Sequence, residues 1–206
     1  MEVQLMDFLR PETIIEYGGI ALLLFIVFAE TGLFFGFFLP GDSLLFVAGL
    51  LCGTPYLALP LWLLIALVIV TAAAGTTVGY GFGFWAKDYF AKRKDNFFYR
   101  KQYIDVTQQF FRKYGMITFI IGRFLPIVRT FLPILAGIAH IDFKKFLLYN
   151  FLGAVCWVIP LTCSGYLLGK SFPGIIEHLD WIVLGMILFS STPFIVSWMR
   201  QRYAEK

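Results

Sequence analysis

Long apolar runs separated by short polar segments make up most of this chain. A run of about 20 apolar residues can cross a bilayer as a helix. Three runs come close to or exceed this length: Leu61–Ala86, Phe146–Gly169 and Trp181–Trp198. They predict about three full transmembrane helices, in an all-α integral membrane protein whose residues 1–206 form a single domain.

Two further apolar runs, over residues of about 18–53 and 115–139, contain prolines and charges. Proline removes a backbone donor and clashes with the preceding helical turn. Such breaks persist at membrane depth only where protein or water satisfies the freed backbone groups. We therefore predict two re-entrant helical hairpins, with their turns at Pro40, Gly41, Pro126 and Pro133.

The two predicted hairpins resemble each other in sequence. Phe38–Pro40 followed by Ala48–Gly49 in the first is matched by Phe124–Pro126 followed by Ala136–Gly137 in the second. The shared proline and charged residues strengthen the match. We interpret the two hairpins as copies of one repeated unit.

The basic residues predict the orientation of the chain. Eight of the 17 Lys and Arg residues lie within residues 87–113, and basic loops favour the cytoplasmic side. The segment 87–113 is therefore predicted to form cytoplasmic amphipathic helices, and the basic C-terminus to lie on the same side. The hairpins then enter from opposite faces, which is the inverted-repeat arrangement of many secondary transporters.

Composition and missing motifs exclude several classes of protein. Hydrophobic residues make up 59% of the chain, charged residues 15%, and the mean hydropathy is +0.78. The net charge of +4 follows the membrane pattern, so we expect a lipid partner and no nucleic acid. The chain lacks a Walker A motif, a His-Glu-x-x-His motif, a Gly-x-Ser-x-Gly elbow and zinc-type Cys/His spacing. We expect no enzyme activity, no metal and no cofactor.

Four charged residues lie inside the apolar runs: Glu30, Asp42, Arg123 and Arg129. Each costs about 2.5–3.5 kcal/mol at the centre of a membrane helix, so their presence indicates a function. Guanidinium groups suit phosphate, and a carboxylate in a low-dielectric cavity can exchange protons near neutral pH. We predict that the arginines bind an anion and that the acids pair with them and exchange protons.

Structural interpretations of the same residues stay open. The four charges could form two buried ion pairs that only fix the fold, and Asp42 could merely cap the helix after Pro40. The glycines between Gly75 and Gly83 predict close helix packing, and they could also form the seam of a homo-oligomer. Trp157 is of the type that lies at membrane interfaces.

In their order along the chain, these residues resemble the signatures of the DedA family, of the VTT or SNARE-associated domain type. The resemblance is carried by Glu30, Phe38–Asp42, Ala48–Gly49, Gly75–Gly83, Gly122–Arg129, Pro133, Ala136–Gly137 and Gly165–Gly169. Thr76 departs from the pattern, because the family often has Asp or Asn there, and Phe84 stands where Arg is common.

The resemblance implies a bacterial inner-membrane protein that moves lipids with the proton motive force, and it makes undecaprenyl phosphate the leading substrate. It also implies that the four buried charged residues are essential. The predicted function is thus a proton-coupled lipid transporter. The alternatives are a proton-coupled ion or small-solute antiporter, a passive phospholipid scramblase and a non-transporting assembly factor.

Overall fold

The computed structural model describes residues 11–33, 36, 39–91, 111, 113–172 and 174, and the regular structure in these ranges is helical. In chain order the helices are α1 (Pro11–Gly32), α2 (Gly41–Leu51), α3 (Leu61–Ala91), α4 (Thr118–Ile121), α5 (Pro126–Ile138) and α6 (Phe143–Ser171). A short 3₁₀ helix, Gly122–Phe124, joins α4 to α5. The predicted span Trp181–Trp198, the C-terminus and most of the segment 87–113 lie outside the described residues.

Two of these helices are long and apolar enough to cross a membrane, namely α6 and the Leu61–Ala86 part of α3. Both spans were predicted, although α6 extends a few residues beyond the predicted run at each end. The remaining apolar helices are shorter, and they come from the two interrupted runs. Each interrupted run therefore forms a pair of helices with a break between them, as its prolines predict.

Prolines mark the start of the second helix in each pair. Pro40 immediately precedes α2, and Gly41 is its first residue. Pro126 is the first residue of α5, where a missing backbone donor costs nothing. The prediction of a turn at Pro133 is wrong, because this residue lies inside α5. Its ring packs against Gly79 of α3, and one missing backbone hydrogen bond does not end a helix that is held by such packing.

The two helix pairs exchange their second helices. The first helices pack on the long helix that follows them in the chain, α1 on α3 and α4 on α6. The second helices do the opposite, because α2 packs mainly on α6 and α5 mainly on α3. Each half of the chain therefore contributes one short helix to the other half.

Reciprocal glycine contacts bring the backbones of α2 and α6 together. A Cβ built on Gly49 of α2 would lie 2.1 Å from the carbonyl oxygen of Thr162 in α6. A Cβ built on Gly165 of α6 would lie 2.1 Å from the carbonyl oxygen of Phe46 in α2. Each glycine thus faces the carbonyl three residues before its partner glycine, at a distance that excludes any side chain.

The same contact is repeated between α5 and α3. A Cβ on Gly137 would lie 2.1 Å from the carbonyl oxygen of Tyr80, and one on Gly83 would lie 2.0 Å from that of Ile134. Again each glycine faces the carbonyl three residues before its partner. The prediction that the central glycines pack helices is confirmed at Gly83, and at Gly75, where a Cβ would lie 2.6 Å from a carbonyl oxygen of α1.

Candidate functional site

Three of the four predicted charged residues meet where the short helices converge. Glu30 lies near the end of α1, Asp42 in the first turn of α2 and Arg129 in the first turn of α5. One terminal nitrogen of Arg129 donates to Asp42 Oδ1 at 2.9 Å, and the other donates to Glu30 Oε1. Glu30 is 0% exposed and Arg129 6%, so two acids share one base in a buried site.

Trp157 completes this site, and it was not predicted as a site residue. Its indole Nε1–H donates to Asp42 Oδ1 at 3.0 Å, and the guanidinium carbon of Arg129 lies 5.2 Å from the centre of its ring. Such a position allows a cation–π interaction. The interpretation of Trp157 as an interfacial residue is wrong, since it is 2% exposed and lies at the centre of α6. Glu30, Asp42, Arg129 and Trp157 are called the Arg129 cluster below.

Asp42 does not cap α2. The helix begins after Pro40 without any side-chain cap, and Asp42 Oδ1 accepts instead from Arg129 and Trp157. The capping interpretation is therefore wrong. Asp42 is also the member of the Arg129 cluster with some exposure, because 26% of its side chain is accessible.

Glu30 presents its second oxygen to the start of α2. Within the described part of the chain, Glu30 Oε2 has no hydrogen-bond partner although it is buried. A Cβ built on Gly41 would lie 1.4 Å from this oxygen, so the carboxylate fills space that only a glycine leaves open. Arg129 Nε is likewise buried without a partner among the described residues.

Arg123 lies apart from the acids, in the 3₁₀ helix that precedes α5. Its Nη2 donates to Thr76 Oγ1 at 3.0 Å and to Asn150 Oδ1. Asn150 in turn donates to the carbonyl oxygen of Ala73 at 3.1 Å, which ties α6 to α3. Arg123, Thr76 and Asn150 are called the Arg123 cluster below.

In the ranges that the structure describes, no carboxylate pairs with Arg123. The prediction that the two acids pair with both arginines is therefore wrong, because Arg129 binds both of them. Thr76 and Asn150 are neutral, so they satisfy the donors of Arg123 without cancelling its charge. A buried charge without a counter-charge is costly, which makes Arg123 a favourable place for an anion.

Both clusters contact the middle of the long apolar helices. Trp157 is the central residue of α6, and Thr76 lies close to the centre of the Leu61–Ala86 span. With both acids ionised, the Arg129 cluster has a net charge of −1 and Arg123 contributes +1. The four charges therefore sum to zero only when the two clusters are counted together.

No metal-binding group is found in the described part of the chain, where no three His, Cys, Asp or Glu side chains come together. The donors of the two clusters are guanidinium, indole and amide N–H groups. Such a set suits an anion with several acceptor oxygens.

Comparisons with known proteins agree with the resemblance seen in the sequence. A family model described as the VTT domain matches residues 39–167, which include Asp42 and both arginines. The chain belongs to the VTT-domain, or DedA, family of membrane proteins. No solved structure matches the chain.

Relatives in this family cover most of the chain. Protein DedA of Escherichia coli is 37% identical over 195 residues, which are 94% of this chain and 89% of that protein. An uncharacterized membrane protein of Mycobacterium tuberculosis is 38% identical over 175 residues, 85% of this chain and 76% of that protein. The inner membrane protein YqjA of Escherichia coli is 32% identical over 181 residues, which are 86% of this chain and 81% of that protein.

Proposed function

We propose that this protein is a proton-motive-force-coupled lipid transporter of the bacterial inner membrane, and that it recycles undecaprenyl phosphate. One observation carries the proposal. Arg129 is held between two acids at the middle of the apolar helices, while the nearby Arg123 has no acidic partner in the described residues. An ionic arrangement built only for stability would pair both arginines.

The membrane arrangement in this proposal is an inverted repeat with the C-terminus in the cytoplasm. The helix pairs α1–α2 and α4–α5 are two re-entrant hairpins that enter from opposite faces. Their exchanged second helices and the matching glycine contacts support two related halves. Their breaks meet at the two clusters, so the charges lie near the midplane, where secondary transporters bind their substrates.

In the resting state, Glu30 and Asp42 both pair with Arg129, and Arg123 attracts the phosphate of the lipid. The arriving phosphate accepts charge-assisted hydrogen bonds from Arg123 and then competes with the acids for Arg129. A carboxylate that loses its arginine in a buried site takes up a proton. Glu30 and Asp42 are thus the proton-coupling residues, and the polyprenyl tail stays in the bilayer.

Charge balance explains why phosphate and proton would move together. The four buried charges of the empty site sum to zero. A phosphate group with one negative charge would leave the site at −1, and protonation of one acid restores zero. Because an uncompensated buried charge is costly, the loaded site is favourable when proton and phosphate are both bound. A proton gradient can therefore drive lipid movement.

Leaflet exchange in proteoliposomes tests the proposal. Vesicles containing undecaprenyl phosphate are prepared with the wild type, Arg123→Gln, Arg129→Gln or the exposed control Lys144→Gln. The fraction of phosphate accessible to an impermeant phosphatase is followed with and without a pH gradient. We expect gradient-dependent exchange with the wild type and the control, and none with either arginine variant.

Three outcomes would contradict the proposal. Exchange by the wild type that ignores the gradient would indicate a passive scramblase. Gradient-driven ion flux without lipid exchange, dependent on Glu30 and Asp42 alone, would indicate an ion antiporter. A folded wild type with neither activity would indicate an assembly factor.

A further inference from the structure

We infer that the substrate phosphate binds at the N-terminus of α2, against the backbone of residues 41–43, and that the Glu30 carboxylate occupies this site while no substrate is bound. The site is called the phosphate seat, or the seat, below. The inference rests on the proposed function for the identity of the anion. It adds to that proposal the place where the phosphate binds and the competition of Glu30 for this place. It also adds a role for Gly41, which leaves room for either the carboxylate or the phosphate.

The position of Glu30 is the first observation. This carboxylate is fully buried, and its Oε2 lies where a Cβ of residue 41 would be. Oε2 has no hydrogen-bond partner among the described residues. The Glu30 carboxylate therefore lies directly against the backbone at the start of α2.

The start of α2 is the second observation. The first intrahelical bond of α2 runs from the Leu44 N–H to the Pro40 carbonyl, so the backbone N–H groups of residues 41–43 precede the hydrogen-bonded ladder. Pro40, at the cap position, offers them no side-chain hydrogen bond. Free N–H groups and the positive end of the helix dipole make such a terminus a binding place for anions.

Arg129 provides the third observation. Its terminal nitrogens are used by Glu30 and Asp42, but its Nε is buried without a partner in the described residues. A carboxylate has only two oxygens, and one of them here points to α2. A phosphate monoester has three free oxygens, so it can accept from Nε, from a terminal nitrogen and from α2 at once.

Gly41 is therefore a specificity residue in this inference. Any side chain at this position would occupy the seat and displace both Glu30 and the phosphate. The glycine fits a site that must hold a bulky tetrahedral group against the backbone. The headgroup of a lipid and free inorganic phosphate share this chemistry, so the test has to separate them.

Calorimetric titration of the purified full chain in detergent micelles tests the seat, with octyl phosphate and inorganic phosphate as separate probes. The variants are Glu30→Ala, which empties the seat, and Glu30→Ala/Gly41→Ala, in which a methyl group enters the emptied space. In the double variant the methyl no longer meets the carboxylate, so the protein should fold. Gly81→Ala, at a helical glycine with open space around it, is the matched control, and circular dichroism checks every variant.

We expect Glu30→Ala to bind octyl phosphate at least about tenfold more tightly than the wild type, because a charged competitor is removed. The double variant should lose this gain, while Gly81→Ala should bind like the wild type. Tight binding of octyl phosphate alone would assign the seat to a lipid headgroup, and equal binding of both probes would assign it to phosphate in general.

Two results would overturn the inference. If Glu30→Ala binds no more tightly than the wild type, Glu30 is not a competitor. If the double variant binds as tightly as Glu30→Ala, the anion lies elsewhere. The titration needs no proton gradient, so it separates the seat from the proposed function: vesicles without coupled exchange refute transport and leave the seat standing.

Discussion

Neutralising each of the two buried arginines should affect the stability of the protein to a different extent. Arg129→Gln leaves Glu30 fully buried and Asp42 half-buried without their shared counter-charge. Arg123→Gln instead removes a positive charge that has only neutral partners in the described residues. The first variant should unfold more easily than the wild type, and the second should not.

The magnitudes follow from the contacts that each arginine makes. Breaking a buried ion pair by removing one partner costs about 3–5 kcal/mol, and the partial exposure of Asp42 places Arg129→Gln near the lower end. Arg123→Gln loses about 1 kcal/mol for each of its two hydrogen bonds. The relief of an uncompensated buried charge offsets this loss, so the net change should be within about 1 kcal/mol.

Denaturant unfolding in detergent micelles, followed by circular dichroism at pH 8 and pH 5, measures both effects. At pH 5 the unpaired acids of Arg129→Gln are protonated more readily, so its deficit relative to the wild type should shrink as pH falls. At pH 8, adding Glu30→Gln to Arg129→Gln should recover part of the loss.

The charge assignment would be refuted if Arg123→Gln destabilised the protein as much as Arg129→Gln. It would also be refuted if the deficit of Arg129→Gln were the same at both pH values. Either result would mean that the acids do not depend on Arg129 for their counter-charge.

Three further predictions use the same unfolding measurement. Gly137→Ala must push a carbonyl oxygen of α3 from 2.1 Å to ordinary contact beyond 3.4 Å, so it should lower the free energy of unfolding by about 1–3 kcal/mol. Gly81→Ala should leave the free energy of unfolding unchanged. Equal effects of the two variants would refute the backbone contact. Trp157→Phe removes the indole donor and should lower the free energy of unfolding by about 1–3 kcal/mol. An unchanged unfolding midpoint would show that this hydrogen bond does not contribute to stability. Thr76→Asp places a carboxylate beside Arg123 and should make the protein more stable than Thr76→Asn does. If the Asp variant were the less stable of the two, Arg123 would not be a buried charge in need of a counter-charge.

Part of this site could be predicted from the sequence because charges stand out inside apolar runs. Glu30, Asp42, Arg123 and Arg129 were found in this way, and the starts of α2 and α5 follow from the fixed backbone of Pro40 and Pro126. These features are local. They depend on the composition of one run or on the geometry of one residue, and neighbours elsewhere in the fold do not alter them.

The pairing of the charges could not be predicted, since it depends on which helices exchange places. Only the packing of α2 on α6 brings Asp42 to Trp157, and only the packing of α5 on α3 separates Arg123 from the acids. The role of Thr76 in the site could not be predicted either, because threonine in an apolar helix usually bonds its own backbone, as it does here to Ala72. Its departure from the family pattern was visible, but its contact with Arg123 was not.

The contacts divide the molecule into two groups of helices held together by different forces. Glycine contacts join α2 to α6 and α5 to α3, and no other group can replace a backbone that fits so closely. Polar bonds of the two clusters instead run between these groups, from Arg129 to Asp42 and from Asn150 to Ala73. Arg123, in the connecting 3₁₀ helix, bonds to Thr76 of one group and to Asn150 of the other. Water or a phosphate can instead take over the donors and acceptors of a polar bond that opens. A rearrangement that opens the site should therefore separate the two groups along the polar bonds and keep each glycine-packed pair intact.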